Sequence, residues 1–260
     1  MSNSDRIVML ELEEVSISFK TGGSSFDHGM HHVLDKVSMR IFQGESLGLV
    51  GRNGVGKTTM LRIMAGILAP TSGSIKIAEG NSAALLSLGL GFKPELSGRD
   101  NAALAAMIQG SSRKQAEAVL EDIKEFSELG DSFEAPVKNY SAGMNARLGF
   151  TTALMTDVDI LLIDEVLSVG DAHFRGKALA AMENRITSEQ TVVFVSHMAD
   201  HIKKLCDRAI WLLDGKVAME GPAAEVVDAY QDFVNENRES GQREQAQKIK
   251  EQSKEKEKQH

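Results

Sequence analysis

The stretch GRNGVGKT at residues 51–58 decides the fold. It follows the apolar run SLGLV at residues 46–50, which is typical of a buried strand, and it precedes TTMLRIMAG, whose apolar spacing predicts a helix. A strand, a glycine-rich turn with the pattern G-x-x-x-x-G-K-[ST] and a helix together make a phosphate-binding loop. The sequence therefore predicts a site for a nucleoside triphosphate at this turn.

The residue types of this loop match the chemistry of phosphate binding. Its glycines let successive backbone N–H groups point at phosphate oxygens, and the start of the helix adds a favourable field for anions. Lys57 is predicted to reach the β and γ phosphates, and the Thr58 hydroxyl is predicted to bind Mg²⁺. The predicted nucleotide-binding residues of the loop are Gly51, Arg52, Asn53, Gly54, Val55, Gly56, Lys57, Thr58 and Thr59.

A second strand pattern, DILLID at residues 159–164, supplies an acidic partner for the loop. Asp164 is predicted to hold the Mg²⁺ shell through water, as acidic strand ends do in phosphoryl transfer. Glu165 is predicted to point toward the γ phosphate, where it could orient and deprotonate the attacking water. A strand that ends in Asp-Glu is equally typical of an ordinary strand end, so the pair gains its meaning from the phosphate-binding loop.

The rest of the chain predicts an α/β protein with a mainly parallel sheet. TVVFVSH at 191–197 is a third buried-strand pattern, and alternating residues between 7 and 42 predict an antiparallel β subdomain. Helical spacing after a capping box at Ser112 indicates a helical subdomain inserted at about 94–155. We predict one nucleotide-binding domain over residues 1–234 and a charged, disordered tail over 235–260, for which a solvated helix with pairs such as Glu244 to Lys248 is the alternative.

Composition excludes several classes of function. The net charge of −8 argues against broad contact with nucleic acid, so no nucleic-acid partner is expected. Cys206 is the only cysteine, which indicates a reducing compartment and a small core residue. We find no apolar run long enough to span a membrane and no signal peptide at the start, so we expect a cytoplasmic chain.

The sequence YSAGMNAR at residues 140–147 resembles the signature motif of ABC ATPases, which is usually LSGGQ followed by glutamine and arginine. Ser141, Ala142, Gly143 and Met144 stand at the signature positions after Tyr140, and Arg147 stands at the trailing arginine. Two further positions match that family. His197 corresponds to its switch histidine, and Asp171 in SVGD corresponds to its D-loop aspartate.

The resemblance implies a homodimer. Ser141 and the glycine near it would begin a helix and form a second anion site, which in ABC ATPases faces the nucleotide of the other copy. Two copies packed around a two-fold axis would enclose two ATP molecules, with Mg²⁺ as the second cofactor. Glu165 and His197 are the implied catalytic residues.

Longer segments resemble one branch of this family, the ATP-binding subunits that export capsular polysaccharide, O-antigen or teichoic acid. These segments are GLGFKPELSGRDN at 89–101, FSELGDSFEAPVKNYSAGMNARLGF at 126–150, DEVLSVGDAHFRGK at 164–177 and CDRAIWLLDGKVAMEGPAAEVV at 206–227. The resemblance implies an integral-membrane permease as partner, a lipid-linked polysaccharide as indirect partner, and a peripheral location on the cytoplasmic side of the cytoplasmic membrane. The alternative is a soluble ABC ATPase that is not coupled to transport.

Three positions depart from the family pattern or leave alternatives open. Lys93 stands at the Q-loop position, where a cationic ammonium cannot ligate a metal and would instead touch phosphate or the coupling interface. Met144 replaces the signature glutamine but leaves the backbone donors intact. Phe19 is the candidate for stacking on adenine, and a buried core phenylalanine is an equal alternative because Phe19 alternates with Ile17 on a strand pattern.

Overall fold

The computed structural model describes residues 6–20, 30–86, 91–164, 171–196 and 198–237. The strands are β1 (Val8–Lys20), β2 (Met30–Phe42), β3 (Ser46–Val50), β4 (Ser72–Ile77), β5 (Ala83–Leu86), β6 (Ile160–Ile163), β7 (Thr191–Val195), β8 (Arg208–Leu213) and β9 (Lys216–Pro222). The helices are α1 (Lys57–Met64), α2 (Gly98–Ile108), α3 (Arg113–Ala118), α4 (Leu120–Ser127), α5 (Ala142–Met155), α6 (Ala172–Ile186) and α7 (Ala199–Leu205). A further helix, α8, covers residues 223–237.

A six-stranded sheet forms the centre of the protein, in the order β5-β6-β7-β3-β8-β9. All neighbours in it are parallel except β8 and β9, which pair antiparallel. Its central strands are buried on both faces, so they are continuous apolar runs rather than alternating ones. In β7, for example, Val193 packs toward β1, β2 and α1, while Phe194 packs toward α6 and α7.

A three-stranded antiparallel sheet in the order β2-β1-β4 covers one face of the central sheet. Helices α2 to α5 and two short 3-10 turns follow β5 and hold a core of their own, which is built around Ile123, Phe133 and Leu148. Ser112 forms the predicted capping box at α3, because its side chain accepts from Gln115 N while the Gln115 side chain accepts from Ser112 N. The predicted fold class is therefore confirmed: a mainly parallel sheet, an antiparallel β layer and an inserted set of helices.

Helix α8 runs to residue 237, three positions beyond the predicted end of the domain at 234. It packs back on the central sheet, because Tyr230 and Phe233 lie against the ring of Trp211 in β8. The first residues of the predicted tail, up to 237, are thus helical. Residues 238–260 lie outside the described part of the chain.

Gly48, in the middle of β3, leaves no room for a side chain. A Cβ there would lie 2.2 Å from Ile202 Cγ2 and 3.4 Å from the sulfur of Cys206, and both neighbours are buried. Burial also raises the pKa of the Cys206 thiol to about 12, in line with a core residue rather than a reactive one. The close packing of β3 on α7 thus requires glycine at this position.

Gly48→Ala is expected to destabilise the protein by about 1–3 kcal/mol, because the stiff side chain of Ile202 must move to admit the methyl group. Urea unfolding followed by circular dichroism measures the change. The matched control is Gly176→Ala in α6, where a Cβ meets nothing within 4 Å. That substitution should stabilise the helix by about 0.5–1 kcal/mol. Equal midpoints for the two variants would contradict the packing argument.

Candidate nucleotide-binding site

The loop after β3 adopts a conformation that only glycine allows at two positions. Gly51 has φ +152°, and a Cβ there would lie 2.6 Å from Leu212 O. Gly56 has φ +109° and caps α1, and a Cβ there would lie 2.9 Å from Leu34 Cδ2. Gly51 and Gly56 are therefore required both by backbone conformation and by the close approach of neighbouring strands.

Lys57 is the first residue of α1, and its side chain is folded over the loop. Its Nζ donates to Gly51 O at 2.6 Å and to Arg52 O at 3.1 Å, and the residue is only 6% exposed. Burial lowers the pKa of Lys57, and the negative charge of Asp164 acts in the opposite direction. The ammonium is thus held where the loop turns, close to the acidic end of β6.

These groups surround one cavity of about 270 Å³. Its lining residues are Val33, Asn53, Gly54, Gly56, Lys57, Thr58, Thr59, Asp164 and Val195. Lys57 and the loop offer donors for phosphate oxygens. Thr58 and Asp164 offer the oxygen ligands that Mg²⁺ prefers, so the residues present fit a magnesium nucleotide.

The predicted signature segment begins helix α5. Ser141 is the N-cap, and its Oγ accepts from Met144 N at 3.2 Å. Ser141 and Ala142 are exposed, so the start of the helix opens to solution. Because the first amides of a helix lack partners within the helix, this surface can accept an anion.

A second cavity lies at this helix start and is lined by Ser141, Ala142, Gly143, Met144, Ala146, Arg147 and Asp171. It shares no lining residue with the cavity at the phosphate-binding loop. Arg147 pairs with Asp171 there, and the pKa of Asp171 is lowered, chiefly by the hydrogen bond from Phe174 N. One chain therefore carries two separate surfaces whose donor groups could bind an anion.

The structure corrects one alternative for Phe19 and leaves two predicted residues undescribed. Phe19 is 42% exposed near the end of β1, so the interpretation as a buried core residue is wrong. Ile17, two residues earlier, is the buried member of that strand pattern. Glu165 and His197 lie outside the described residues.

The backbone of Lys93 is held by two hydrogen bonds with the side chain of Asn101. Lys93 N donates to Asn101 Oδ1 at 2.7 Å, and Asn101 Nδ2 donates back to Lys93 O at 3.0 Å. The residue is exposed and does not line the cavity at the phosphate-binding loop. Its predicted contact with phosphate or with a coupling interface stays a prediction.

Some residues near the loop could not be found from the sequence. Val33 lines the nucleotide cavity from β2, although nothing in the local pattern distinguishes it from other strand residues. Tyr230 and Phe233 of α8 line another cavity beside Gly51 and Arg52. Their position depends on chain packing over a long sequence distance, and no motif marks them.

A phosphate-binding loop on a strand-to-helix turn, with an acidic strand end in the same cavity, defines a P-loop nucleotide-binding protein. The start of α5 adds a second, separate surface that is open to an anion. A model of the ABC transporter family matches residues 34–168, and the chain belongs to that family.

Curated relatives agree with the resemblance seen in the sequence. The O-antigen export system ATP-binding protein RfbB of Klebsiella pneumoniae is 41% identical over 197 residues, which cover 76% of this chain and 80% of the relative. The teichoic acids export ATP-binding protein TagH of Listeria innocua is 41% identical over 201 residues, which cover 77% of this chain and 59% of the relative. The chain thus spans most of the first relative and little more than half of the second.

Solved structures support the fold. The ATP-binding cassette MJ0796, a dimer in a post-hydrolysis state bound to ADP and Pi, matches with a TM-score of 0.65 and 22% identity. The match covers 83% of this chain and 99% of that one.

Within the described ranges, no helix has the length and apolar character needed to cross a bilayer.

Proposed function

We propose that this chain is the ATP-hydrolysing subunit of an ABC exporter that moves a polysaccharide across the cytoplasmic membrane. The observation that carries the proposal is the pairing of a nucleotide cavity at Lys57 with a separate anion surface at Ser141 on one chain. The substrate class follows from relatives named for O-antigen and teichoic acid export. A capsule, an O-antigen or a similar lipid-linked glycan is the cargo of the complex.

Two copies would pack so that the start of α5 in one copy meets the nucleotide held by the other. An isologous interface places both such contacts at once and gives a homodimer with two ATP molecules. The two cavities share no lining residue, so we expect each to supply only part of the surroundings of one nucleotide. ATP binding and dimer formation are therefore expected to depend on each other.

Catalysis would consist of positioning and charge stabilisation. Bound Mg²⁺, held by Thr58 and through water by Asp164, would neutralise charge on the phosphates. Lys57 would leave its carbonyl partners to donate to phosphate oxygens. Glu165 would orient the attacking water and accept its proton, and His197 would contact the γ phosphate.

An apolar face on α2 supports a membrane partner. Leu104 and Ile108 lie one helical turn apart and are 39% and 81% exposed. Beside them runs a groove lined by Leu96, Ala103, Met107 and Leu120 among others. An exposed apolar patch of this kind is typical of a protein interface. We assign it to the permease, which would hold the chain at the cytoplasmic face of the membrane.

Co-expression with a permease encoded next to this chain tests the proposal. The wild-type chain should co-purify with that permease from membranes, and the pair should hydrolyse ATP. Leu104→Glu with Ile108→Glu should reduce the recovered complex at least about tenfold, because two charges would be buried at the contact. The isolated double variant should keep its ATPase rate.

Ile67→Glu is the matched control, since Ile67 is also an exposed isoleucine (60%) but follows α1 and does not line the groove beside α2. It should leave the complex intact. An ATPase that never associates with a permease would instead support the soluble alternative. Equal recovery of wild type and double variant would reject the α2 face as the contact.

A further inference from the structure

An ion-pair cluster joins three elements behind the signature cavity. We call it the latch, and it consists of Glu128 after α4, Arg147 in α5, Asp171 at the start of α6, and Lys177 in α6. It connects the helical insertion to α6. Glu128 is not among the site residues predicted from the sequence.

Glu128 is the centre of the latch because each of its carboxylate oxygens faces a different cation. Lys177 Nζ donates to Glu128 Oε1 at 2.9 Å, and Arg147 Nη1 lies 3.5 Å from Glu128 Oε2. Arg147 also pairs with Asp171 through its other terminal nitrogen. His173 Nε2 lies 3.9 Å from Glu128 Oε1, at the edge of the cluster.

The cations of Lys177 and Arg147 each lie over an aromatic ring. Lys177 Nζ lies 4.5 Å from the centre of the Phe126 ring and donates to Phe126 O at 3.0 Å. The Arg147 guanidinium lies 4.9 Å from the centre of the Phe174 ring. The two rings meet edge to face at 6.0 Å. The cations are therefore held in place by stacking as well as by charge.

The backbone of Glu128 adopts a conformation that is unusual for a residue with a side chain. Glu128 ends α4 with φ +55°, a left-handed conformation that favours glycine at this position of a helix. Lys177 and Glu128 are each about one third exposed, and exposed ion pairs contribute little to folding stability. A strained residue that adds little stability is better explained by what it positions.

We propose that Glu128 and Lys177 are positioning residues that hold the start of α5 against Asp171, so that both face the second copy's nucleotide together. The inference rests on the proposed ATP-bound homodimer. Arg147 lines the signature cavity and touches both Glu128 and Asp171, so the latch reaches this surface through one side chain. Loss of the latch would loosen the start of α5 and Asp171, which would act on the nucleotide of the second copy. It would leave each chain's own phosphate-binding loop unchanged.

The test compares kcat for ATP with binding of a fluorescent ADP analogue to the full-length chain at concentrations where it is monomeric. Lys177→Met and Glu128→Gly should each lower kcat roughly three- to tenfold, the range of a coupling contact outside the site. Both should keep ADP affinity within about twofold, because the loop of Lys57 is not touched. In a Glu165→Gln background, both should also weaken ATP-dependent dimer formation.

Glu128→Gly separates positioning from folding. Glycine relieves the left-handed backbone, so the unfolding midpoint should stay unchanged or rise while kcat falls. Lys177→Arg keeps the cation and should restore most of the rate. Lys203→Met is the matched control, because Lys203 pairs with Asp228 at 2.6 Å on an exposed surface away from the signature cavity. It should leave kcat unchanged.

The outcomes distinguish the latch from the function on which it rests. A wild-type chain that neither hydrolyses ATP nor dimerises with ATP overturns the proposed function and the latch with it. An active wild type whose Lys177→Met and Glu128→Gly variants match it in kcat overturns the latch alone. A fall in ADP affinity equal to the fall in kcat also rejects positioning across the dimer.

Discussion

Lys57→Ala should weaken ATP binding by roughly 100-fold, which corresponds to about 2.7 kcal/mol. The buried ammonium is the cationic side chain that lines the cavity of the phosphate-binding loop. Its Nζ is held by two carbonyl oxygens, Gly51 O and Arg52 O, and is placed at the turn where phosphate oxygens would lie. Charge-assisted hydrogen bonds in such a water-poor position are among the strongest that proteins make. Isothermal calorimetry with MgATP measures the change.

Loss of binding must be separated from loss of folding. Lys57→Ala removes two hydrogen bonds to loop carbonyls, so the melting temperature without nucleotide should be recorded for the same sample. Lys76→Ala is the matched control, because Lys76 pairs with Glu13 on an exposed strand. It should bind ATP like the wild type. An unchanged ATP affinity in Lys57→Ala would contradict the assignment of the site.

The parts of this site that the sequence predicts are the ones determined by neighbouring residues. The run SLGLV coincides with β3, and the turn with its glycines follows directly, because a buried strand and a glycine turn are local patterns. Ser112 caps α3 for the same reason: the capping box lies within one helical turn. Short-range patterns of this kind need no knowledge of the rest of the chain.

The remaining features depend on which distant segments meet. Phe19 shares its strand pattern with Ile17, yet Ile17 is buried and Phe19 is exposed. Glu128 shows no pattern that predicts its left-handed backbone or its contact with Lys177. The sheet order places β3 between β7 and β8, which no spacing in the sequence specifies. These outcomes are set by tertiary packing, which overrides local preference.

Glu165→Gln should separate ATP binding from hydrolysis. Glutamine has nearly the same shape but cannot accept the proton of the attacking water. General-base catalysis typically contributes a factor of about 10²–10⁴, so hydrolysis should fall by that range. The phosphate-binding loop and the α5 surface are unaltered, so ATP affinity should stay within about threefold. The rate is measured by phosphate release at saturating ATP.

The same substitution should also trap the two-copy state. We expect a dimer held together by ATP to dissociate once the γ phosphate has been cleaved and released, so slower cleavage should leave a stable dimer in MgATP and a monomer in MgADP. Size-exclusion chromatography with light scattering distinguishes the two. Glu189→Gln, in the exposed turn before β7, is the control and should hydrolyse ATP normally. A Glu165→Gln chain that turns over ATP as fast as the wild type would require another base. A slow variant that stays monomeric in ATP would keep Glu165 as the base but remove the role of the second copy, because hydrolysis would then be complete within one chain.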